Sequence, residues 1–355
     1  MLTVINVGQG DAFILNPGQG CDLGDPQLLI DTGPAKANIE SILSPGVYRL
    51  LITHSHEDHI GGVPRLLKSK KINILHTYIP YYLPEITKIY GYLKRHTSEK
   101  LKQPNWKLIS KLRPQLVAQG DTLCTHATIL NPPRHPEEIF RDLRTADTSI
   151  EQALTILSED YGIDLPEDEI INYVSPLVLQ DDVESELEYG FLARRFVHLF
   201  FITLLDSLAG ASKSNIDYYV SRHIKLNSNR ASVVFKHRHS SGNWLFTGDA
   251  DNSVFERLIE ERTDISATFL KVPHHGSREN LSNSTMLAIK PKHAIISHNN
   301  RKFGTSNDPH PHNEVIDLLD RHRVECYYTN EVIKKSAVIK SQTSGVVLKG
   351  LINFI

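Results

Sequence analysis

Short apolar runs at Leu2–Val7, Ala12–Asn16 and Gln27–Asp31 are separated by the turn residues Gly8-Gln9-Gly10-Asp11 and stop at Thr32-Gly33. Runs this short, punctuated by glycine, predict a β-meander rather than helices, whose apolar positions recur every three to four residues. A brief helical period at Asn38–Leu43 precedes a further predicted strand, Tyr48–Thr53, which breaks off at a run of histidines. The second half repeats this punctuation. Strands are predicted at Ala231–Lys236, Trp244–Phe246, Ala267–Val272, Ala294–Ser297, Glu325–Thr329 and Val346–Leu348, with helices over Ser253–Glu261 and Asn313–Arg321. From about Arg134 to Asn227 the pattern is mainly helical. The expected organisation is two α/β halves, residues 1–133 and 228–355, flanking a helical and acidic insertion at 134–227.

Composition narrows the class. An apolar share of 40% and a charged share of 23% exclude disorder and fibrous architectures. A net charge of −2 gives no overall pull toward a polyanion, so a nucleic-acid surface has to be local. One stretch fits. Between Ile86 and Arg113 there are eight basic residues, Lys88, Lys94, Arg95, Lys100 and Lys102 among them, against Glu99 alone, with Tyr90, Tyr92 and Trp106 interleaved. Such a run could follow a phosphate backbone and stack bases, or be an ordinary solvated helix face. From Glu137 to Glu188 sixteen acidic residues face only Arg141 and Arg144, and that segment would repel nucleic acid.

Three scattered cysteines, Cys21, Cys124 and Cys326, read as reduced thiols without zinc spacing. The N-terminus has no basic region followed by a cleavage site, and Phe191–Ala211 is interrupted by Arg194, Arg195, His198 and Asp206. No signal peptide and no membrane span are therefore expected, and the location expected is cytoplasmic. Phe196, Leu199, Phe200, Ile202 and Leu204 give Phe191–Leu205 more apolar surface than one helix usually hides. The insertion is thus either a cap on its own sandwich or the contact for a protein partner or second copy.

The chemistry concentrates at Thr53-His54-Ser55-His56-Glu57-Asp58-His59, three histidines and two acids in six positions. In a tight loop after a strand, His54 and His56 can point one way while Asp58 and His59 turn the other, offering two adjacent metal sites. Imidazole and carboxylate suit zinc, manganese or iron. Asp249 ends the strand at Trp244, where its carboxylate could bridge two metals. His274, His275, His298, His310 and His312 also fall in loops, most of them directly after predicted strands. A lone histidine is usually a satisfied core or surface residue; this many beside a strand-end acid are not explained that way.

The run at 54–59 resembles the His-x-His-x-Asp-His motif of the metallo-β-lactamase superfamily, specifically its ComEC-type branch, related to the C-terminal domain of the DNA-uptake competence protein. Asn6-Val7-Gly8-Gln9-Gly10-Asp11-Ala12, Leu29-Ile30-Asp31-Thr32-Gly33, Asn229-Arg230-Ala231-Ser232-Val233-Val234, Thr247-Gly248-Asp249, Lys271-Val272-Pro273-His274-His275-Gly276-Ser277 and Ile295-Ile296-Ser297 carry the likeness over residues 2–75 and 227–330. As a set these motifs are specific for fold and metal site, and less so for substrate. The resemblance implies an α/β, four-layered αββα sandwich with two divalent ions, Zn2+ or Mn2+. His54 and His56 would hold the first ion, Asp58 and His59 the second with one of His274 or His275, and Asp249 would bridge. Asp31 would orient the loop from behind. Where many members place a third histidine for the first ion, this chain has Asn229 and Ser232, with His126 and His223 as further candidates. No motif covers the insertion.

What the resemblance implies is hydrolysis by hydroxide generated at a dinuclear centre, in a phosphodiesterase or nuclease acting on DNA. Asp58 could also orient the hydroxide, and His298 or His310 could stabilise charge or protonate the leaving oxygen. Two alternatives use the same centre: cleavage of a small phosphodiester such as a cyclic nucleotide or phosphocholine ester, and cleavage of a C–N or thioester bond. A third is a metal-binding subunit of a multiprotein complex.

Overall fold

The computed structural model describes residues 2–16, 26–97, 109–141, 148–176, 183–299, 304–305, 308–334, 337–340, 345–347 and 352–355. In chain order the strands are β1 (Leu2–Val4), β2 (Phe13–Leu15), β3 (Gln27–Ile30), β4 (Gly46–Leu51), β5 (Ile72–Pro80), β6 (Gln115–Val117), β7 (Thr122–Cys124), β8 (Ala127–Asn131), β9 (Val234–His237), β10 (Trp244–Phe246), β11 (Phe269–Lys271) and β12 (His293–Ile296). They continue with β13 (Gly304–Thr305), β14 (Asp308–Pro309), β15 (Glu325–Tyr328), β16 (Val332–Lys334), β17 (Ala337–Lys340), β18 (Gly345–Val347) and β19 (Ile352–Phe354). One mixed sheet has the order β18-β19-β1-β2-β3-β4-β5-β6, and the other β15-β12-β11-β10-β9-β8-β7.

The helices are α1 (Ile39–Ile42), α2 (Glu57–Ile60), α3 (Val63–Leu66), α4 (Leu83–Leu93), α5 (Ile150–Glu159), α6 (Glu167–Ile171), α7 (Val183–Leu208), α8 (Ile216–Arg230), α9 (Asn252–Glu260), α10 (Asn283–Ile289) and α11 (Asn313–Arg321). The sheets pack face to face through Phe13, Ile30, Leu51, Ile129, Phe235, Phe246 and Phe269. Leu43, Ile60, Val63 and Leu66 cover the outer face of the first sheet, and Val254, Met286 and Leu319 that of the second. This is an αββα sandwich. Its central strands bury both faces, so they read as continuous apolar runs instead of alternating ones.

The longest strand of the first sheet, β5, was not expected from sequence; its middle, Asn73–His76, is partly or fully exposed and breaks the apolar run. Four helices, α5 to α8, lie in sequence between β8 and β9, which are antiparallel neighbours pairing Ala127 with His237. These helices build a core of their own with α4: Phe196 stacks on Tyr82 at 4.4 Å between ring centres, and Leu154, Phe200, Leu204, Val220 and Ile224 are buried around them. Phe196, Leu199, Phe200, Ile202 and Leu204, the side chains that suggested a partner surface, are all covered within the chain.

Lys88 lies 3.6 Å from Glu169 and over the Tyr92 ring at 5.0 Å, so part of the basic stretch is tied to α6. Lys94 and Arg95 form one turn of 3-10 helix after α4, while Lys100, Lys102 and Trp106 lie outside the described residues. Among the described residues no helix is long and apolar enough to cross a membrane. Cys326 is not in a disulfide, whereas Cys124 is disulfide-bonded. The reading of all three cysteines as reduced thiols is therefore corrected, because pairing depends on approach in space, which linear spacing does not report.

Candidate functional site

Parallel strands deliver the chemistry to one edge of the sandwich, outside their carboxyl ends, where open α/β sheets place ligands. β3 runs into Asp31, β4 into the 53–59 loop, β10 into Asp249, β11 into His274 and His275, and β12 into Ser297 and His298. After β4 the chain reaches an extended His56 and turns at once into α2, and this turn brings His59 back against His54, their ring centres 4.0 Å apart.

Asp31 locks the loop. Its backbone is in the left-handed region at φ 57°. Its carboxylate accepts from the Thr53 amide at 2.8 Å and the Thr53 hydroxyl at 2.7 Å, and contacts His59 Nδ1 at 2.7 Å. Gly10 has to be glycine, because a Cβ there would stand 2.1 Å from the Asp58 carbonyl oxygen. His274 and His275 both take left-handed backbone, φ 45° and 55°. Such conformations are costly for non-glycine residues and persist where surrounding structure holds them for a purpose.

Asp249 Oδ2 sits at the centre, 3.3 Å from His59 Nε2, 3.6 Å from His54 Nε2, 3.7 Å from His275 Nε2 and 3.8 Å from His274 Nε2. His54 Nε2 and His56 Nδ1 are 3.0 Å apart, and His275 Nε2 is 3.3 Å from Asp58 Oδ2. Two overlapping groups, His54/His59/Asp249 and Asp58/His59/His275, each bring their donor atoms within 4.8 Å of one another. His56 Nε2, His59 Nε2 and Asp249 Oδ1 are buried with no hydrogen bond. Buried polar atoms are seldom left so, and a cluster of unsatisfied imidazole nitrogens and carboxylate oxygens fits divalent metal. The residues behind the donors fit as well: Asp31 on His59 Nδ1, and the Ser297 carbonyl 2.9 Å from His275 Nδ1, aim the opposite nitrogens at the cluster.

The charges agree. Burial pushes His54 well down, His56 down to about 4, and His274 down, so these imidazoles are neutral at neutral pH. Burial works against the Asp249 charge too, yet His59 and His275 outweigh it and hold the carboxyl well below its usual range.

The two adjacent histidines separate in space. His275 is fully buried beside Asp58, whereas His274 is partly exposed, with Nδ1 3.2 Å from Asn280 Oδ1 and 3.4 Å from Asn229 Nδ2. Ser232 Oγ accepts from the Asp249 amide at 3.3 Å. His126 adjoins the far end of β8, by Arg238, and His223 is bonded to Ser207 in the helical core, so neither reaches the cluster. His310 lies 5.5 Å from His274 between ring centres. His298 Nε2 meets the Asn330 carbonyl at 3.2 Å, and His312 Nδ1 accepts from the Arg278 amide at 2.9 Å, so both rings brace loops.

Sequence reasoning missed Asp11 and Lys271. Lys271 Nζ, buried at the end of β11, contacts Asp11 Oδ2 at 2.5 Å, the Gly248 carbonyl at 2.7 Å and Asp249 Oδ1 at 3.6 Å. Both residues stand inside motifs quoted above, Asn6–Ala12 and Lys271–Ser277. A lysine that opens such a motif and an aspartate in the opposite half were the available signal.

Residues 5–122 match the family model described as metallo-beta-lactamase superfamily. Over 105 residues, 29% of this chain, the sequence is 32% identical to ComE operon protein 3 of Bacillus subtilis (strain 168), and the match spans 13% of that protein's length. Among solved structures, one described as the crystal structure of Tm1679, a metal-dependent hydrolase of the beta-lactamase superfamily, is 10% identical. It covers 92% of this chain and is itself covered over 94%, with a TM-score of 0.44.

Proposed function

We propose that this chain, whose residues 5–122 match the metallo-beta-lactamase superfamily model and which resembles ComE operon protein 3 over 105 residues, is a metal-dependent hydrolase that cleaves phosphodiester bonds in nucleic acid, DNA foremost. The observation that carries the hydrolase reading is the pair of overlapping donor groups sharing His59 and centred on Asp249, with buried nitrogens and oxygens that lack hydrogen bonds. The ComEC-type motifs favour DNA over other esters.

His54, His56 and His274 with Asp249 would hold one ion, filling with His274 the place where the sequence showed no third histidine. Asp58, His59 and His275 with Asp249 would hold the other. When bound, two divalent ions polarise the phosphoryl group and lower the pKa of water toward neutrality. The chain's own groups do the rest. Asp31 and the Ser297 carbonyl fix the His59 and His275 rings. Lys271 offsets part of the charge of Asp11 and Asp249. His310, pushed down to about 2 by burial and by His274, is a neutral ring at the cluster's edge that can donate a hydrogen bond to the departing oxygen.

The test combines metal analysis with hydrolysis of linear single-stranded, linear double-stranded and circular DNA and of bis(4-nitrophenyl) phosphate, each with and without Mn2+. Up to two ions per chain and DNA cleavage lost in Asp249→Asn are expected. Bound metal with cleavage of the small ester alone would remove the nucleic-acid half of the proposal. Wild-type protein that binds no transition metal would remove all of it.

A further inference from the structure

The helices that separate β8 from β9 end beside the donor cluster. The last of them, α8, carries Tyr218, Arg222, Lys225 and Asn229 at spacings of four, three and four residues, which aligns them on one helical face. That face is one wall of a cavity of about 480 Å3, and His274, Ser277 and Asn280 line the opposite side. Asn229 marks the inner end, with Nδ2 3.4 Å from His274 Nδ1. Tyr218, 57% exposed, marks the other end of the helical row, with exposed Arg222 between them.

The charge of this cavity is legible residue by residue. Arg222 and Lys225 line it with two cations, Lys225 being already engaged within the chain. Of the two acids, Asp251 is committed to Arg230 at 3.1 Å and to the N-terminal cap of α9, which leaves Glu279. The volume lies within the roughly 300–1,000 Å3 of small-molecule sites. It suits a few unpaired nucleotides. Single-stranded sites combine a cationic track for phosphates with aromatic faces for bases, and α8 presents both in line with His274. The family match ends at residue 122, so this wall lies outside it.

We infer that α8 forms the subsite for single-stranded nucleic acid, with Arg222 and Lys225 on phosphates flanking the scissile one and Tyr218 stacked on a base at the mouth. The inference rests on the hydrolase reading above and assigns to α8, not to the stretch after Lys88, the contacts that select the substrate.

The full-length, Mn2+-loaded protein is assayed for kcat/KM on a 12-nucleotide single strand and on the matching duplex, from 50 to 200 mM salt. Metal content and melting temperature are measured in parallel for every variant. Wild type is expected to prefer the single strand. Arg222→Gln with Lys225→Gln should lower kcat/KM and reduce the logarithmic salt slope by about 1.4, since each phosphate contact on a single strand contributes roughly 0.7. Tyr218→Ala should cost about 5- to 150-fold, the usual range for one stacked base. Metal content should stay at the wild-type value in all of them. If wild type cleaves the single strand and the slope is unchanged in the double variant, the α8 subsite is wrong while the hydrolase reading stands. The subsite is equally overturned if the slope shifts only in Lys88→Gln with Lys94→Gln, or if the duplex is preferred. A metal-loaded wild type that cleaves no nucleic acid overturns both.

Discussion

Replacing Lys271 by methionine keeps the length of the side chain and removes one buried charge. Its ammonium, with the side chain 2% exposed, stands 2.5 Å from Asp11 Oδ2, 3.6 Å from Asp249 Oδ1 and 2.7 Å from the Gly248 carbonyl. Burial disfavours the charged form, but Asp11 and Asp249 outweigh it and raise the lysine's pKa, so the group is an ammonium. At an effective dielectric of about 20, the nearer contact alone is worth about 6–7 kcal/mol of gross attraction, most of it spent on desolvating both partners. Losing one member strands the other. Lys271→Met should therefore destabilise the metal-free protein by roughly 3–5 kcal/mol, a large part of the roughly 5–15 kcal/mol that holds a domain together. Asp11→Asn in the same background should recover at least about 1 kcal/mol, because the stranded charge is then gone. The assay is urea unfolding in EDTA, followed by far-ultraviolet circular dichroism, on wild type, both single variants and the double variant. A loss under about 1 kcal/mol in Lys271→Met, or losses that simply add in the double variant, would refute the view that this lysine neutralises a buried acid.

Glu85 gives a prediction in pH. It is fully buried, accepting from Ser175 Oγ at 2.8 Å and from the Tyr189 hydroxyl at 3.0 Å, and burial raises its pKa from 4.5 to about 7. A raised carboxyl stabilises the fold below pH 4.5 and loses that contribution as pH climbs through about 7. Glu85→Gln should accordingly flatten the fall in unfolding midpoint between those values and leave the variant more stable above pH 7, by up to about 3 kcal/mol; an unaltered pH profile would contradict this. Asp31→Ala frees the His59 ring and should weaken metal affinity about 10- to 100-fold, read by competition with a chromogenic chelator; wild-type affinity would mean that Asp31 serves the backbone turn alone.

Local pattern alone located much of the fold. Trp244–Phe246 and Asn313–Arg321 are found at the predicted bounds, and the strand expected at Tyr48–Thr53 is found two residues earlier, at Gly46–Leu51. These features are legible because an apolar run, its turn residues and the chemistry at its end are neighbours in sequence. His54, His56, Asp58 and His59 fall within six positions for the same reason. What the sequence could not settle are relations between distant segments. That His275 faces Asp58 while His274 opens to Asn229 depends on two left-handed residues after β11. Asp11 and Lys271 meet only because β1–β2 and β11 belong to facing sheets whose ends converge. Phe196 and Phe200 are covered because α4 and α5 pack against α7, although their periodicity also fits an exposed interface. Lys88 is held by a glutamate eighty-one positions later. Periodicity specifies which face of an element is apolar or charged; what that face meets is decided by the order and direction of strands and helices, which only the tertiary structure supplies.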